Sequence, residues 1–323
     1  MNHLVAIVGP TGIGKSALAL HLARKFHGEI VGADSRQVYR HMDIGTAKPG
    51  PEERDLVPHH LIDIVNPDEE FSLARYQSLA YEYIEDIQRR DKLPLLVGGS
   101  GMYVWAVLEG WEVPRVAPDR EFRQAMESKA ALNGAQELYR ELLETDPAAA
   151  QRIDPRNVRR VIRALEVQKQ TGRPFSRSQV KKAPSFRTLI IGLTADREEL
   201  YRCIDERVDR MVARGLVEEV ENLLRMGYDV SLPAMSGIGY RQIGLYLKGE
   251  MTLPAAVQQI KFETHRFVRH QYAWFRSSDK RIHWFDVTRQ PGPAIESLVA
   301  GFLEDEKEET FGEGSPIVME KRG

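Results

Sequence analysis

Short apolar runs alternate with amphipathic stretches over the first hundred residues of the chain. Leu4–Val8, Glu29–Ala33 and Leu93–Val97 have the length and the apolar content of buried strands. Ser16–Phe26 and Leu73–Arg90 repeat their apolar positions with helical spacing. Alternating strands and helices are typical of a parallel sheet with helices packed on it. The sequence therefore predicts an α/β fold, with a parallel sheet core flanked by helices like that of the P-loop NTPases.

The pattern changes after Pro114, where strand-like runs stop. Ala117–Leu143 and Asp146–Gln170 show helical spacing only, until Thr188–Leu193 again has the character of a strand. We therefore predict that an all-helical domain is inserted into the sheet domain.

The predicted boundaries divide the chain into three parts. The sheet domain comprises residues 1–114 and 187–290, and the inserted domain comprises residues 115–186. Single long helices are expected over Arg197–Met226 and Ala255–Phe275. The segment 303–323, which is rich in acidic residues, is expected to form a solvated, disordered end.

The first strand runs directly into a glycine-rich loop with the pattern G-x-x-x-x-G-K-[ST]. Backbone N–H groups of such a loop bind phosphate oxygens, and the start of the following helix adds partial positive charge. Lys15 would reach the outer phosphate, and the Ser16 hydroxyl would bind Mg²⁺. The residues that we predict to bind a diphosphate or a nucleotide such as ATP are Gly9, Pro10, Thr11, Gly12, Ile13, Gly14, Lys15 and Ser16.

Two polar residues follow the next strands of the predicted sheet. Asp34 comes after the second strand and Ser100 follows the Gly98-Gly99 turn after the third, so both should lie at the edge that carries the phosphate loop. Asp34 is our candidate general base and Ser100 a candidate substrate contact. No strand ends in the aspartate that NTP hydrolases use for magnesium, which favours a transferase over a mechanical ATPase.

The distribution of charge says more than the net charge of −2. Residues 151–187 hold eleven Lys or Arg against two acidic residues, a net +9. Such asymmetry favours a polyanionic partner. Cys203, as the single cysteine, excludes a disulfide framework, and His59 and His60 lack neighbours at metal-binding spacing.

Three arginines share one face of the predicted helix that follows Asp196. Arg207, Arg210 and Arg214 are three and four residues apart. At least one of them, with Arg207 as our choice, should reach the diphosphate; the alternative is a solvated basic stripe.

A set of motifs then resembles a known family, the bacterial tRNA dimethylallyltransferases, also called tRNA isopentenyltransferases. The resemblance covers about residues 4–285 in family order. The motifs are the phosphate loop, Asp34-Ser35-Arg36-Gln37-Val38-Tyr39-Arg40, Met42-Asp43-Ile44-Gly45-Thr46-Ala47-Lys48-Pro49, His60-Leu61-Ile62-Asp63, Gly98-Gly99-Ser100-Gly101-Met102-Tyr103, Arg163-Ala164-Leu165-Glu166-Val167 and Gly239-Tyr240-Arg241-Gln242.

The resemblance implies transfer of a dimethylallyl group from dimethylallyl diphosphate to N6 of the adenosine just 3′ of the anticodon, tRNA position 37, with magnesium and release of diphosphate. It gives Asp34, Lys15 and Ser100 catalytic roles, and its tRNA partner is the anticodon stem-loop. Ser100 stands where the family often has Thr, and Arg159 where it often has Gln. The resemblance places tRNA contacts at Asp34, Ser35, Arg36, Gln37, Ser100, Arg123, Arg159, Arg160, Val161, Ile162, Arg163, Ser236, Gly237, Ile238, Gly239, Tyr240 and Arg241.

Other functions stay open at this point. An adenylate isopentenyltransferase or a small-molecule P-loop kinase would use the same loop, and a nucleotide-regulated RNA-binding module would need no catalytic base. We expect a cytoplasmic protein, because the sequence has neither a secretion leader nor an apolar run long enough for a membrane span. We also expect a monomer.

Overall fold

The computed structural model describes residues 2–114, 116–178 and 181–311. Its strands are β1 (His3–Val8), β2 (Gly28–Gly32), β3 (His59–His60), β4 (Leu93–Val97), β5 (Arg187–Thr194) and β6 (Ile282–Asp286). Its helices are α1 (Lys15–Lys25), α2 (Pro51–Leu56), α3 (Leu73–Arg89), α4 (Gly101–Leu108), α5 (Arg120–Asn133), α6 (Ala135–Thr145), α7 (Pro147–Ala150), α8 (Val158–Thr171), α9 (Arg197–Ala213), α10 (Leu216–Arg225), α11 (Tyr240–Leu247), α12 (Leu253–Trp274) and α13 (Gly292–Phe311).

The six strands form one parallel sheet in the order β3-β2-β4-β1-β5-β6. β1 lies inside the sheet, where Val5 pairs with Leu95 of β4 and Leu189 of β5. All residues of β1 and β4 are buried, as expected for central strands covered by helices on both faces. This is the predicted α/β core, and its parallel strands carry all their carboxyl ends to one edge.

The chain forms two compact units. The sheet unit comprises Met1–Phe71, Ser78–Val104 and Ser185–Gly323, and the helical unit comprises Ser72–Gln77 and Trp105–Pro184. The predicted boundary at residue 115 is therefore ten residues late, because the end of α4 already belongs to the helical unit. That end is uniformly apolar and carries no sequence signal of a domain change.

Apolar clusters explain how the units hold together. In the sheet unit, one cluster packs Ile7 and Leu95 against Leu22 of α1 and Ile204 of α9. A second cluster joins Val38, Met42 and Tyr240 to residues of α10 and α12. The helical unit has its own cluster, in which Leu138 and Leu142 of α6 pack against Val161 and Leu165 of α8.

One of the two predicted single helices is divided, and each of the two predicted helical stretches of the inserted domain contains a break. Gly215, at φ +100°, ends the helix predicted over Arg197–Met226 and begins α10. Gly134, at φ +88°, separates α5 from α6, and the segment 151–157 separates α7 from α8. The prediction of one helix over Arg197–Met226 was therefore wrong, because Gly215 adopts a positive φ that other residues avoid. The single helix predicted over Ala255–Phe275 is observed as α12.

The first residues of the predicted tail belong to a helix. α13 extends through Phe311, and its Ile295 and Val299 pack into the main cluster of the sheet unit. The remainder of the predicted tail, residues 312–323, lies outside the described residues. Within the described part of the chain, no helix is both long and apolar enough to cross a bilayer.

Candidate active site

Three strand ends meet at the carboxyl edge of the sheet. β1 ends at the phosphate loop, β2 ends just before Asp34, and β4 ends at the Gly98-Gly99 turn. Backbone hydrogen bonds tie the ends together: Ala33 N donates to Val97 O at 2.7 Å, and Gly98 N donates to Ile7 O at 3.2 Å. Residues that are distant in sequence are thus fixed side by side.

A narrow cavity lies at this edge, with about 70 Å³ accessible to the centres of water-sized molecules. Lys15 and Ser16 enter it from the start of α1, Asp34 from the end of β2, and Arg207 from α9. Other residues that line it are Thr11, Ala19, Ile30, Gly32, Gln37, Thr46, Ala47, Pro49, His59, His60, Ile62, Val97, Gly98 and Gly99. The predicted phosphate loop, the predicted base and one of the three arginines therefore share one cavity.

The phosphate loop is held from both sides. The Lys15 ammonium donates to the Pro10 carbonyl at 2.7 Å. Gln271 of α12 is buried, accepts from the Thr11 backbone N–H at 2.9 Å and donates to the Gly99 carbonyl at 3.0 Å. One glutamine thus joins the loop after β1 to the turn after β4. The Ser16 hydroxyl stands at the exposed start of α1.

The electrostatics of the cavity favour an anionic ligand. Burial, reinforced by the nearby Arg207, lowers the pKa of Lys15 from 10.5 to about 7, although Asp34 acts in the opposite direction. Burial also lowers the pKa of Arg207, again opposed by Asp34. Because burial disfavours the charged forms of both side chains, a bound phosphate anion would stabilise them more than it stabilises exposed cations. Arg210 and Arg214 are exposed and do not line the cavity.

The segment after β2 carries the acceptor side of the site. Asp34 accepts the Arg36 backbone N–H through Oδ1 at 2.8 Å, and the Ser35 N–H donates to the Ser100 hydroxyl at 3.1 Å. Ser100 does not line the cavity. Its hydroxyl supports the turn that presents Asp34, which is a different task from the predicted catalytic contact.

Arg36 and Gln37 extend in different directions from this turn. The Arg36 guanidinium donates to the carbonyls of Pro233 and Ala234 and to the Ser236 hydroxyl. The Gln37 amide donates to the carbonyls of Thr46 and Ala47, both at 3.2 Å. Both predicted tRNA-binding side chains thus hold neighbouring segments in place.

The turn predicted to contact tRNA at residues 236–241 is only partly accessible. Ser236 and Arg241 are exposed, and Ile238 is half-buried. Gly237 and Gly239 are buried, and the Tyr240 side chain is 1% exposed with its hydroxyl bonded to Glu219. Tyr240 therefore supports the turn with a buried side chain, and its predicted contact with tRNA stays a prediction.

In the helical unit, two of the predicted tRNA contacts neutralise a buried carboxylate. Glu166 is fully buried and accepts from Arg123 at 2.8 Å, from Arg163 at 2.6 Å and from the Asp119 backbone. These bonds hold the pKa of Glu166 below its usual range despite burial, which acts to raise it.

The other predicted contacts of α8 divide by helix face. Arg159 and Arg160 are exposed, whereas Val161 and Ile162 belong to the apolar cluster of the helical unit. Helical periodicity places adjacent residues on different faces, so the side chains of Val161 and Ile162 face the core of the helical unit, and their predicted contact with tRNA stays a prediction.

The excess charge of residues 151–187 is partly neutralised in three dimensions. Arg156 pairs with Asp154, and Lys181 pairs with Glu109, which lies outside that stretch. The exposed cations that remain include Arg159 and Arg160 at the start of α8.

The sequence missed several residues that shape the cavity. Thr46, Ala47, His59 and His60 line it, and Gln271 holds its floor. His59 donates to the Val57 carbonyl, and His60 pairs with the buried Glu29. The motif containing Thr46 and Ala47 was recognised without a role, while Gln271 stands in a charged helix that gives no sign of its buried position.

A parallel sheet whose first strand leads into a phosphate loop defines a class, the phosphate-loop α/β proteins that hold a phosphorylated ligand at the carboxyl edge of the sheet. Within that class the chain belongs to the IPP transferase family. The model of this family matches residues 37–278. A second model, described as isopentenyl transferase, matches residues 2–63.

Named relatives cover most of the chain. A tRNA dimethylallyltransferase of Dehalococcoides mccartyi is 52% identical over 302 residues, which are 94% of this chain and 93% of the relative. A tRNA dimethylallyltransferase of Roseiflexus castenholzii is 58% identical over 276 residues, 85% of this chain and 90% of the relative.

Solved structures agree with this assignment. The tRNA isopentenylpyrophosphate transferase of Bacillus halodurans is 40% identical, with a TM-score of 0.71, over 96% of this chain and all of that one. A eukaryotic dimethylallyltransferase acting on tRNA is 27% identical, with a TM-score of 0.80, over 99% of this chain and 82% of that one.

Proposed function

We propose that the protein transfers the dimethylallyl group of dimethylallyl diphosphate to N6 of adenosine 37 in the tRNA anticodon stem-loop and releases diphosphate. The observation that carries the proposal is the single cavity in which Asp34 faces the cations of the phosphate loop. The relatives from Dehalococcoides mccartyi and Roseiflexus castenholzii, both tRNA dimethylallyltransferases, support the same reaction.

The phosphate loop would hold the leaving group. As the bond between C1 of the allyl group and its oxygen breaks, negative charge develops on the diphosphate. Lys15, Arg207 and the loop amides would neutralise this charge where water is largely displaced, which lowers the barrier. In the free protein Lys15 has a pKa of about 7, so binding of the diphosphate would also favour its protonated form.

Magnesium fits this arrangement as an ion bound chiefly by the substrate. Mg²⁺ is usually coordinated by one or two protein oxygens together with phosphate oxygens and water. The exposed hydroxyl of Ser16 is such an oxygen, and in the described part of the chain no cluster of three His, Cys, Asp or Glu offers a complete protein site. Bound there, the ion would supply further neutralisation of the diphosphate charge.

Asp34 would act as the base. The N6 lone pair forms the new bond to C1, the C1–O bond breaks toward the diphosphate, and the N6 proton passes to Asp34. One oxygen of Asp34 is fixed by the Arg36 backbone N–H at 2.8 Å, which orients the carboxylate in the cavity. A conjugated amine is a weak nucleophile, so removal of its proton as the bond forms is the step that needs help.

The exposed cations of the helical unit would bind the phosphates of the anticodon arm. Arg159 and Arg160 are exposed on α8 and supply charge without base specificity. We propose that the protein acts as a monomer in the cytoplasm, where its tRNA substrate is.

The proposal is tested by supplying magnesium, labelled dimethylallyl diphosphate and either unmodified tRNA or AMP. We expect label on tRNA alone. Label on AMP alone would indicate an adenylate isopentenyltransferase. Label on neither would leave a small-molecule kinase and an RNA-binding module as the remaining candidate functions.

The base is tested separately with Asp34→Asn. We expect single-turnover transfer to fall by at least about 10²-fold, the usual size of a general-base contribution, while tRNA affinity stays within twofold. Asp55→Asn, at an exposed position on α2, is the matched control and should transfer at the wild-type rate. An active Asp34→Asn variant would remove the assigned base.

A further inference from the structure

One carboxylate outside the cavity accepts four hydrogen bonds. Glu219 lies on α10 and does not line the cavity. Its Oε2 accepts the backbone N–H groups of Asp43 at 3.0 Å and Ile44 at 2.6 Å. Its Oε1 accepts the Gly45 N–H at 3.1 Å and the Tyr240 hydroxyl at 2.6 Å. Only an ionised carboxylate can accept from four donors in this way without having to donate.

The first three donors fix the start of the loop 42–49, a motif for which the sequence suggested no chemistry. Thr46 and Ala47 follow these three residues within the loop, and both line the cavity. Their carbonyls hold the Gln37 amide at 3.2 Å each. Glu219 therefore holds one wall of the cavity and, through it, the orientation of Gln37.

The fourth donor fixes the segment 233–240. The Tyr240 ring is buried against Gly45 so closely that a Cβ on Gly45 would lie 2.6 Å from it. Burial, and then the neighbouring Glu219, raise the pKa of Tyr240 well above 10, so its hydroxyl keeps its proton and donates.

The same segment holds Arg36. Pro233 and Ala234 offer their carbonyls to the Arg36 guanidinium, at 2.8 and 3.2 Å. The Arg36 backbone N–H in turn fixes Asp34. Arg36, whose backbone N–H bonds Asp34, and Gln37, which lines the same cavity, are thus each held by a segment that is hydrogen-bonded to Glu219.

We propose that Glu219 is a positioning residue for the acceptor half of the site, which sets the geometry of Asp34, Arg36 and Gln37 without touching a substrate. This inference rests on the proposed function. The diphosphate half is held by other bonds, those of Lys15 with Pro10 and of Gln271 with Thr11 and Gly99. Loss of Glu219 should therefore impair the acceptor half and spare the diphosphate half.

Glu219→Gln and Glu218→Gln provide the matched comparison. Both remove one negative charge from adjacent positions of α10, but Glu218 is exposed and is not among the acceptors of the loop or of Tyr240. In Glu219→Gln one carboxylate oxygen is replaced by an amide NH2 group, which is itself a donor and cannot accept hydrogen bonds from the donors at that position. Tyr240→Phe removes a single donor and gives a milder variant that does not depend on whether the first one folds.

We expect kcat for tRNA transfer to fall by about 10- to 100-fold in Glu219→Gln, the equivalent of one or two charged hydrogen bonds. Tyr240→Phe should lose about threefold to tenfold. The double variant should be no slower than Glu219→Gln, because both changes break one network. KM for dimethylallyl diphosphate and the Tm shift caused by pyrophosphate should stay within twofold of wild type in all of them, and Glu218→Gln should match wild type throughout.

Two results would overturn the inference while wild-type protein labels tRNA. One is transfer within twofold of wild type in both Glu219→Gln and Tyr240→Phe. The other is a parallel loss of pyrophosphate binding and transfer, which would indicate a role in folding only. A wild-type protein that fails to label tRNA refutes the proposed function itself.

Discussion

Replacing Lys15 with methionine should make the free protein more stable while abolishing transfer. The Lys15 side chain is largely buried, beside Arg207, and its pKa lies near 7 where an exposed lysine has 10.5. A protonated Lys15 in this position is therefore unfavourable to the free fold. A bound diphosphate would supply the counter-charge that Lys15 lacks in the free protein.

The size of the effect follows from the pKa. A fall from 10.5 to about 7 corresponds to a ceiling of about 5 kcal/mol. Methionine also loses the hydrogen bond to the Pro10 carbonyl, about 1 kcal/mol, and water that enters the cavity reduces the penalty further. We expect a net gain of about 1–2 kcal/mol, which is a few degrees in Tm for a unit of this size.

The effect has a definite pH dependence. Below pH 7 Lys15 is protonated in both the folded and the unfolded protein, so the full penalty applies. Between pH 7 and 10.5 the folded protein releases the proton while the unfolded chain keeps it, and the penalty declines. The Tm advantage of Lys15→Met should thus be largest near pH 6 and much smaller near pH 9.

Thermal unfolding without ligand at pH 6 and pH 9 measures this. Lys280→Met, at an exposed position of the same unit, is the control and should show no pH-dependent difference from wild type. Pyrophosphate should raise the Tm of wild type and not that of Lys15→Met. A Lys15→Met variant with a lower Tm than wild type at pH 6 would show that Lys15 does not destabilise the free protein. The same Tm difference from wild type at pH 6 and pH 9 would contradict the lowered pKa as its cause.

Three further predictions concern other parts of the molecule. Gln271→Met keeps the shape of the side chain but loses both bonds to the loop and the turn, so pyrophosphate affinity measured by calorimetry should fall about tenfold; unchanged affinity would show that the loop holds itself. The double change Arg159→Ala and Arg160→Ala should weaken tRNA binding and lower the slope of log K against log salt by about 1.5, whereas Arg140→Ala on α6 should not. Glu166→Gln leaves Arg123 and Arg163 facing a neutral group and should cost about 3 kcal/mol, seen as a lower Tm, and a Tm equal to wild type would contradict this.

The sheet and the phosphate loop were predictable because each depends on local signals. Central parallel strands are apolar throughout, and the loop has a fixed spacing of Gly, Lys and Ser. From these alone follow the shared edge and the meeting of Lys15 with Asp34, since parallel strands end together.

What the sequence did not show depends on long-range contacts. Gln271 bonds to residues 260 and 172 positions away. Glu219 meets Asp43 and Ile44 across more than 170 residues. No local pattern distinguishes such buried polar residues from exposed ones. The resemblance marked stretches of chain as tRNA contacts, but burial separates Arg159 from Val161 within a single turn of helix, and only the fold shows this.

In the proposed reaction, the N6 amine of adenosine 37, assisted by the Asp34 carboxylate, attacks an allyl group whose diphosphate lies in the phosphate loop. The most direct test uses two synthetic anticodon stem-loops that differ only at position 37, one with adenosine and one with purine, which lacks the N6 amine. With magnesium and labelled dimethylallyl diphosphate, we expect label on the adenosine stem-loop alone. Mass spectrometry of the nucleosides should place the dimethylallyl group on N6 of adenosine 37. Equal label on both stem-loops, or label at another nucleotide, would contradict the proposed reaction.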